Sequence, residues 1–196
     1  MDSIKARVNR AAREEVAIVP YNLAWRRRFL AEQQHLLRSL PKGIVRRIEH
    51  FGSTAVPGLA AKPIIDILVE VSSLRAARTQ IAPLLKAQGY ECFWRPTFGD
   101  NVRPWYAFFI KRNRRGIRTH HIHMITRHAA FGDHWRRLLF VDYLIAHPKV
   151  ARRYAQLKRK LAAAHRNDRV AYTSGKTAFI SGVLAKMNPC SGTKGN

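Results

Sequence analysis

Acidic residues are scarce in this sequence. Only 12 Asp and Glu stand against 36 Lys and Arg, which gives a formal net charge of +24 at pH 7. A surface with this excess raises the local concentration of polyanions and speeds their encounter with the protein. Nucleic acids, nucleotides and acidic lipid surfaces are all compatible partners, and charge alone selects none of them. A GC-rich genome also produces Arg-rich proteins, so the excess has an alternative origin without function.

Long apolar runs and paired cysteines are missing as well. No stretch approaches the roughly 20 apolar residues that a membrane-spanning helix requires. The first residues contain no apolar core of the kind that marks a secretory signal. Cys92 and Cys190 lie far apart and lack the spacing of a zinc site, so free thiols are expected rather than a disulfide. The sequence therefore predicts a cytoplasmic protein.

The chain of 196 residues has the length of one domain, and no internal repeat or low-complexity linker divides it. Residues 1–14 show no clear apolar stripe and are predicted to form a flexible basic arm that is frayed or weakly helical. A single domain is predicted over residues 15–187, followed by a disordered tail at 188–196.

Hydrophobic periodicity predicts an α+β fold. Helices are expected at residues 24–40, from 72 or 73 to about 88, at 131–146 and 148–164, and from 168 or 173 to about 187. Strands are expected at residues 44–51, 64–71, 90–95, 105–111 and 118–126. Residues 64–71 are almost continuously aliphatic, which is typical of a strand covered on both faces. Asp66 in its middle is costly unless it is solvated, paired or bound to a metal.

A Gly-Ser turn, Gly52 and Ser53, follows the first of these strands. Backbone N–H and hydroxyl groups at such a turn bind phosphate oxygens. Asp66 on the next strand can present a carboxylate to a metal that bridges those phosphates. The structural alternative is a capped turn beside an acid that pairs with a nearby arginine.

Several motifs resemble those of one known family. Residues 49–59 read Glu-His-Phe-Gly-Ser-Thr-Ala-Val-Pro-Gly-Leu, and residues 62–67 read Lys-Pro-Ile-Ile-Asp-Ile. Further segments are Thr-His-His-Ile-His at 119–123, Leu-Phe-Val-Asp-Tyr-Leu at 139–144, Ala-His-Pro at 146–148, and Tyr-Thr at 172–173 with Lys176. Together they resemble the GrpB family (UPF0157), which is grouped with the nucleotidyltransferase superfamily. The resemblance implies a nucleotidyltransferase-like mixed sheet packed by helices, with a helical C-terminal third.

In that superfamily the Gly-Ser turn holds the phosphates of a nucleotide, so the resemblance implies a phosphate-binding role for this turn. Lys62 lies between the turn and Asp66, and Lys176 follows a predicted helix start, so both amines are candidates to reach a phosphate. Surface exposure is the alternative for each lysine. The residues predicted to contact phosphate are Gly52, Ser53, Thr54, Lys62 and Lys176.

The acid set of the superfamily is incomplete in this chain. The resemblance implies that Asp66 is a metal ligand, but Leu68 stands where a second acid belongs. Magnesium requires several hard oxygen ligands in an octahedron, and one carboxylate binds it weakly. Glu70 shares the face of Asp66 but lies roughly 13 Å away along the strand. Glu49, on the preceding strand, is a further candidate metal ligand.

His121 and His123 share one face of a later strand. If that strand neighbours the strand of Asp66, two imidazoles and a carboxylate converge. This set suits a transition metal such as zinc or manganese better than magnesium. It equally suits acid–base catalysis, and the structural alternative is a polar cleft that binds an anion without catalysis.

Two functional hypotheses follow from these residues. The leading one is binding of a nucleotide or another phosphate-bearing ligand, with metal-assisted nucleotidyl or phosphoryl transfer by Asp66, His121 and His123. Such a protein would be a transferase. The alternative is a non-catalytic module with a degenerate site, whose basic surface binds RNA or another polyanion.

Overall fold

The computed structural model describes residues 4–98 and 102–187. Within these ranges five strands form one mixed sheet, and eight α-helices surround it. The predicted α+β architecture is therefore confirmed. The tail predicted at 188–196 lies outside the described residues.

The order of the strands in the sheet differs from their order in the chain. The strands are β1 (Val45–Phe51), β2 (Ile65–Val71), β3 (Glu91–Phe98), β4 (Val102–Arg112) and β5 (Arg118–Ile125). Their order across the sheet is β1-β2-β5-β4-β3. Only β2 and β5 pair in parallel, whereas the other three neighbouring pairs are antiparallel. This central pairing sets Asp66 opposite His121 and Leu68 opposite His123.

The helices follow the predicted pattern closely. They are α1 (Ile4–Arg13), α2 (Ala24–Ser39), α3 (Leu74–Ala76), α4 (Ala82–Ala87), α5 (Gly132–Ala146), α6 (Pro148–Ala164), α7 (Arg169–Ser174) and α8 (Thr177–Met187). A π-helical segment, Ala77–Ile81, joins α3 to α4. Asn22 Oδ1 accepts the N–H of Ala24 at 2.8 Å, a local hydrogen bond from side chain to backbone at the start of α2. None of the helices described is long and apolar enough to cross a membrane.

The two faces of the sheet pack against different helices. One face, which we call the core face, carries Ile65, Ile67 and Val69 of β2 in a cluster with residues of α2 and α4. The opposite face, which we call the site face, carries Leu68 in a cluster that α5 covers in part. A third cluster joins α5, α6 and α8 to the connection between β1 and β2. The C-terminal helices therefore pack beside the Gly-Ser turn.

The predicted basic arm contains a helix, and it forms ion pairs with the rest of the chain. Residues 4–13 form α1, and Glu14 forms ion pairs with Arg112 at 2.6 Å, Arg118 at 3.1 Å and Arg169 at 3.5 Å. Arg10 of α1 also pairs with Glu91 at 3.1 Å. These partners are distant in sequence, so apolar periodicity contains no signal of the ion pairs.

Candidate functional site

The Gly-Ser turn lies against Asp66. Gly52 has φ 75°, and a Cβ added to it would lie 2.6 Å from Asp66 Oδ2. Glycine is therefore required twice, for its backbone conformation and for the close approach of the turn to the carboxylate. Ser53 begins the 3₁₀ turn Ser53–Ala55. The structure thus brings the predicted phosphate-binding turn and the predicted metal ligand together.

Thr54 and Ser53 hold this turn in place. Thr54 is buried, and its hydroxyl donates to the carbonyl of Ile64 at 3.3 Å. The same hydroxyl lies 3.0 Å from His50 Nε2. Ser53 hydrogen bonds with Tyr154 of α6, whose pKa is raised by burial. The structure therefore gives Thr54 a role inside the protein, and it ties the turn to both β2 and α6.

Asp66 and His121 form a hydrogen-bonded pair with a fixed tautomer. His121 Nδ1 lies 2.9 Å from Asp66 Oδ1, and Arg118 Nη1 lies 3.1 Å from His121 Nε2. Because a guanidinium group only donates, Nε2 accepts and Nδ1 carries the proton donated to Asp66. Burial lowers the pKa of His121 to about 4, although Asp66 opposes the effect. The ring is therefore neutral at pH 7.

Asp66 is ionised in this setting. Burial raises the pKa of Asp66, but the hydrogen bond from His121 and the charges of Lys62 and Lys176 bring it below its ordinary value. The side chain is 31% exposed, so a ligand or an ion can reach the carboxylate from the cleft.

His123 completes a group of three possible metal ligands. One ligand atom from each of Asp66, His121 and His123 lies within 4.8 Å of the others. His123 is buried, and its Nδ1 lies 3.2 Å from the hydroxyl of Tyr106. Such a partner orients an imidazole ligand and selects its tautomer. One carboxylate and two imidazoles are a donor set that suits zinc or manganese.

The other acidic candidate does not join this group. Glu49 accepts a hydrogen bond from Arg47 at 2.6 Å and is absent from the three-residue cluster. Leu68, at the position of the missing acid, is fully buried and offers no oxygen. The residues present therefore do not fit an oxygen-rich magnesium site.

Lys62 and Lys176 meet on either side of one aromatic ring. Their Nζ atoms lie 4.9 Å and 4.6 Å from the ring centroid of Tyr172. Burial and the charges of neighbouring lysine and arginine residues lower the pKa of Lys62 to about 7. Burial, Arg137 and Arg169 lower the pKa of Lys176 to about 8, against the opposing effect of Asp66. Among the described residues, neither ammonium forms an ion pair with a carboxylate.

Sequence reasoning missed Lys158, a third lysine on which the charge of Asp66 acts. It is 1% exposed, and its Nζ donates to the carbonyl of Ala60 at 2.6 Å. Burial and the charge of Lys176 lower its pKa to about 7. The available signal was its position four residues after Tyr154, which places a lysine on the buried stripe of α6. Arg118 was missed as well, because residues three apart on a regular strand lie on opposite faces, and the pairing of β5 with β4 is irregular next to Arg118.

Comparison with known proteins places the chain among its relatives. The model of the GrpB protein family matches residues 15–186. The chain belongs to the GrpB family. It is 36% identical over 174 residues to the glutamate-rich protein GrpB of Alkalihalophilus pseudofirmus, a match that covers 88% of this chain and 96% of that protein.

Two further GrpB-family relatives agree. UPF0157 protein YqkA of Bacillus subtilis is 39% identical over 168 residues, covering 86% of this chain and 46% of YqkA, so the chain spans about half the length of that relative. The crystal structure of conserved protein GrpB from Enterococcus faecalis matches with a TM-score of 0.73 and 34% identity, covering 87% of this chain and 96% of that one. The predicted GrpB membership is therefore confirmed, whereas the nucleotidyltransferase superfamily stays a prediction.

Proposed function

We propose that this GrpB-family protein binds a nucleotide or another phosphate-bearing ligand in the cleft between the Gly-Ser turn, Asp66 and the C-terminal helices. The observation that supports the proposal most directly is an imbalance of charge. The charge of Asp66 acts on three lysines, Lys62, Lys158 and Lys176, and no other carboxylate is among the groups that shift their pKa values.

This imbalance favours an anionic ligand for a physical reason. Burying a cation is costly unless a counter-charge accompanies it, and here the lysines reduce the cost by a lowered pKa. The charges of Lys176 and Lys62 contribute to the lowered pKa of Lys158. A phosphate group would supply the missing negative charge in a site of low dielectric, where charge-assisted hydrogen bonds are strong. We therefore expect the ligand to bind with uptake of protons by these lysines.

A transition metal fits the adjoining cluster of Asp66, His121 and His123. A ligand imidazole must offer a lone pair, and both nitrogens of His121 are already engaged. An ion at Nδ1 would replace the proton shared with Asp66, and Nε2 would then carry a proton and release Arg118. When bound, zinc or manganese supplies positive charge for phosphate oxygens. In the catalytic form of the proposal, the protein would transfer a nucleotidyl or phosphoryl group from a nucleoside triphosphate to an acceptor, with pyrophosphate or the nucleoside diphosphate as the leaving group. Whichever of His121 and His123 does not hold the ion would take up the acceptor proton.

Isothermal titration with adenosine triphosphate and each of Zn²⁺, Mn²⁺ and Mg²⁺ tests this function. We expect binding that is tightest with Zn²⁺ or Mn²⁺. The double variant Lys62→Ala/Lys176→Ala should weaken binding at least about tenfold, because it removes two of the three lysines. A tenfold loss corresponds to about 1.4 kcal/mol. The control is Arg152→Ala/Arg153→Ala, which removes two exposed cations of α6. No binding by the folded wild-type protein with any of the three ions would refute the proposal.

A second candidate function rests on the exposed surface of α6. This helix contains no acidic residue. Its exposed cations are Lys149, Arg152, Arg153, Arg159 and Lys160. Such a surface can hold the backbone of RNA, with an affinity that falls steeply as salt rises. RNA binding that survives both Asp66→Ala and His121→Ala/His123→Ala would support this candidate, whereas loss with those changes would support the cleft.

A further inference from the structure

His134, near the start of α5, is buried without a hydrogen-bond partner on either ring nitrogen. It is 1% exposed, and neither Nδ1 nor Nε2 has a partner among the described residues. Leaving a buried polar group without a hydrogen bond destabilises the protein. The ring packs edge-on against Tyr106 with 4.7 Å between centroids, and lies 5.9 Å from the ring of His123. His134 therefore lies beside the three-residue cluster, with its hydrogen-bonding capacity unused.

Two arginines, Arg95 and Arg137, lie near the rings of His123 and His134. The guanidinium carbon of Arg95 lies 5.0 Å from the ring centroid of Phe108 and 5.9 Å from that of Tyr106. Phe108 in turn lies 4.8 Å from the ring of His123. Arg137 follows His134 by three residues on α5, so both lie on one side of the helix. Among the described residues, neither arginine forms an ion pair with a carboxylate.

The electrostatic effects on the neighbouring groups agree with this geometry. Burial lowers the pKa of His134 to about 3, and Arg137 and Arg95 contribute in the same direction. Burial also lowers the pKa of His123, again with contributions from Arg137 and Arg95. No carboxylate is among the groups that shift the pKa of either histidine. This region therefore carries positive charge beside an imidazole that can donate one hydrogen bond and accept another.

The positive charge around the cluster has two ends. Lys62 and Lys176 act on Asp66, and Arg95 acts on His123. The charge of Arg137 acts on both His123 and Lys176, and we group it with Arg95 because it follows His134 by one helical turn on α5. Lys62 and Lys176 flank Tyr172 of α7, and Arg95 lies on β3, at the far edge of the sheet. We name Lys62, Lys158 and Lys176 the lysine subsite, and Arg95, Arg137 and His134 the arginine subsite.

We propose that the arginine subsite binds an oxyanion group of a second ligand, separate from the phosphate held at the lysine subsite. The inference rests on the proposed function, because it assigns the lysine subsite to the first ligand. Two guanidinium groups and an unsatisfied imidazole are suited to a phosphate or carboxylate group, which accepts several hydrogen bonds. The three-residue cluster would then lie between two bound anions.

Equilibrium dialysis with radiolabelled orthophosphate tests the second subsite. At about 0.15 M NaCl, where the Debye length is about 8 Å, we expect two phosphates per wild-type chain. The double variant Arg95→Gln/His134→Gln should bind one, and Lys62→Ala/Lys176→Ala should also bind one. The control Arg114→Ala/Arg115→Ala, which removes two exposed cations from the turn between β4 and β5, should still bind two. His134→Gln changes a buried side chain, so the double variant can fail to fold. Arg95→Gln alone changes only an exposed side chain, and this single variant should bind one of the two phosphates more weakly.

The outcomes separate this inference from the function on which it rests. One phosphate per wild-type chain, lost in Lys62→Ala/Lys176→Ala and kept in Arg95→Gln/His134→Gln, would overturn the arginine subsite and leave the proposed function standing. Two phosphates in both double variants would overturn both assignments. Loss of only one phosphate in each double variant, with the stoichiometry of the control unchanged, would support both.

Discussion

Alternate side chains of β2 serve two faces that differ in what they bury. On the core face, Ile65, Ile67 and Val69 are fully buried among aliphatic and aromatic side chains. On the site face, Asp66 is part of a cluster with two imidazoles. A strand presents alternate residues to opposite faces, so one rigid element supports both a core and a site. The core face positions Asp66 without contributing chemistry, and under the proposed function a ligand would bind on the site face.

The largest effect expected from this comparison is on the core face. Ile67→Ala removes a fully buried side chain and should lower the free energy of unfolding by about 2–5 kcal/mol. Zn²⁺ affinity of the folded variant should stay near the wild-type value. Urea unfolding and metal titration measure the two quantities, with Leu37→Ala as an exposed control that should change stability by about 0.5 kcal/mol or less. A large loss of metal affinity in folded Ile67→Ala would contradict the division between the faces.

Two glycines with similar backbones sharpen the comparison on the site face. Gly52 and Gly58 have φ 75° and 74°, so replacement of either by alanine costs about 1–2 kcal/mol of backbone strain. Only at Gly52 would the new Cβ meet Asp66, whereas nothing lies within 4 Å at Gly58. We expect Gly52→Ala to abolish Zn²⁺ binding and Gly58→Ala to preserve it. Equal metal affinity in the two variants, measured by titration, would show that the turn does not control the position of Asp66.

Local patterns in the sequence were sufficient to find much of the site. The strand alternation put His121 and His123 on one face, and the aliphatic run around Asp66 marked its carboxylate as unusual. Whether these residues meet depends on the parallel pairing of β2 with β5, which joins segments about 55 residues apart and leaves no local signal. The same limit applies to Lys158 and to Glu14, whose partners come from distant parts of the chain.

The lysines of the cleft predict a pH dependence of stability. The pKa values of Lys62 and Lys158 fall from 10.5 to about 7, and that of Lys176 to about 8. Between these values and 10.5 the unfolded chain binds more protons than the folded chain, so stability rises with pH in that window. We expect the melting temperature to increase by at least about 3 °C from about pH 7 to about pH 9, equivalent to about 1 kcal/mol.

Lys62→Met/Lys176→Met should flatten this rise, because the variant lacks two of the three groups. Saturating adenosine triphosphate should flatten it as well, since a bound anion keeps the lysines protonated. A wild-type melting temperature that stays level or falls between about pH 7 and about pH 9 would contradict the buried-lysine interpretation. The measurement is differential scanning fluorimetry in buffers of equal ionic strength, which keeps the screening of exposed charges constant.

The last comparison is between two tyrosine hydroxyls on opposite faces of the sheet. Tyr106 contacts His123 Nδ1 at 3.2 Å on the site face, and Tyr90 donates to Glu32 at 2.5 Å on the other. Tyr106→Phe removes the partner that orients a metal ligand and should weaken Zn²⁺ binding by about tenfold, with little change in stability. Tyr90→Phe should lower stability by about 1 kcal/mol and leave Zn²⁺ affinity unchanged. Metal titration and urea unfolding of both variants check that one loses Zn²⁺ affinity and the other loses stability. Weaker Zn²⁺ binding in Tyr90→Phe would mean that the two faces are coupled through the sheet.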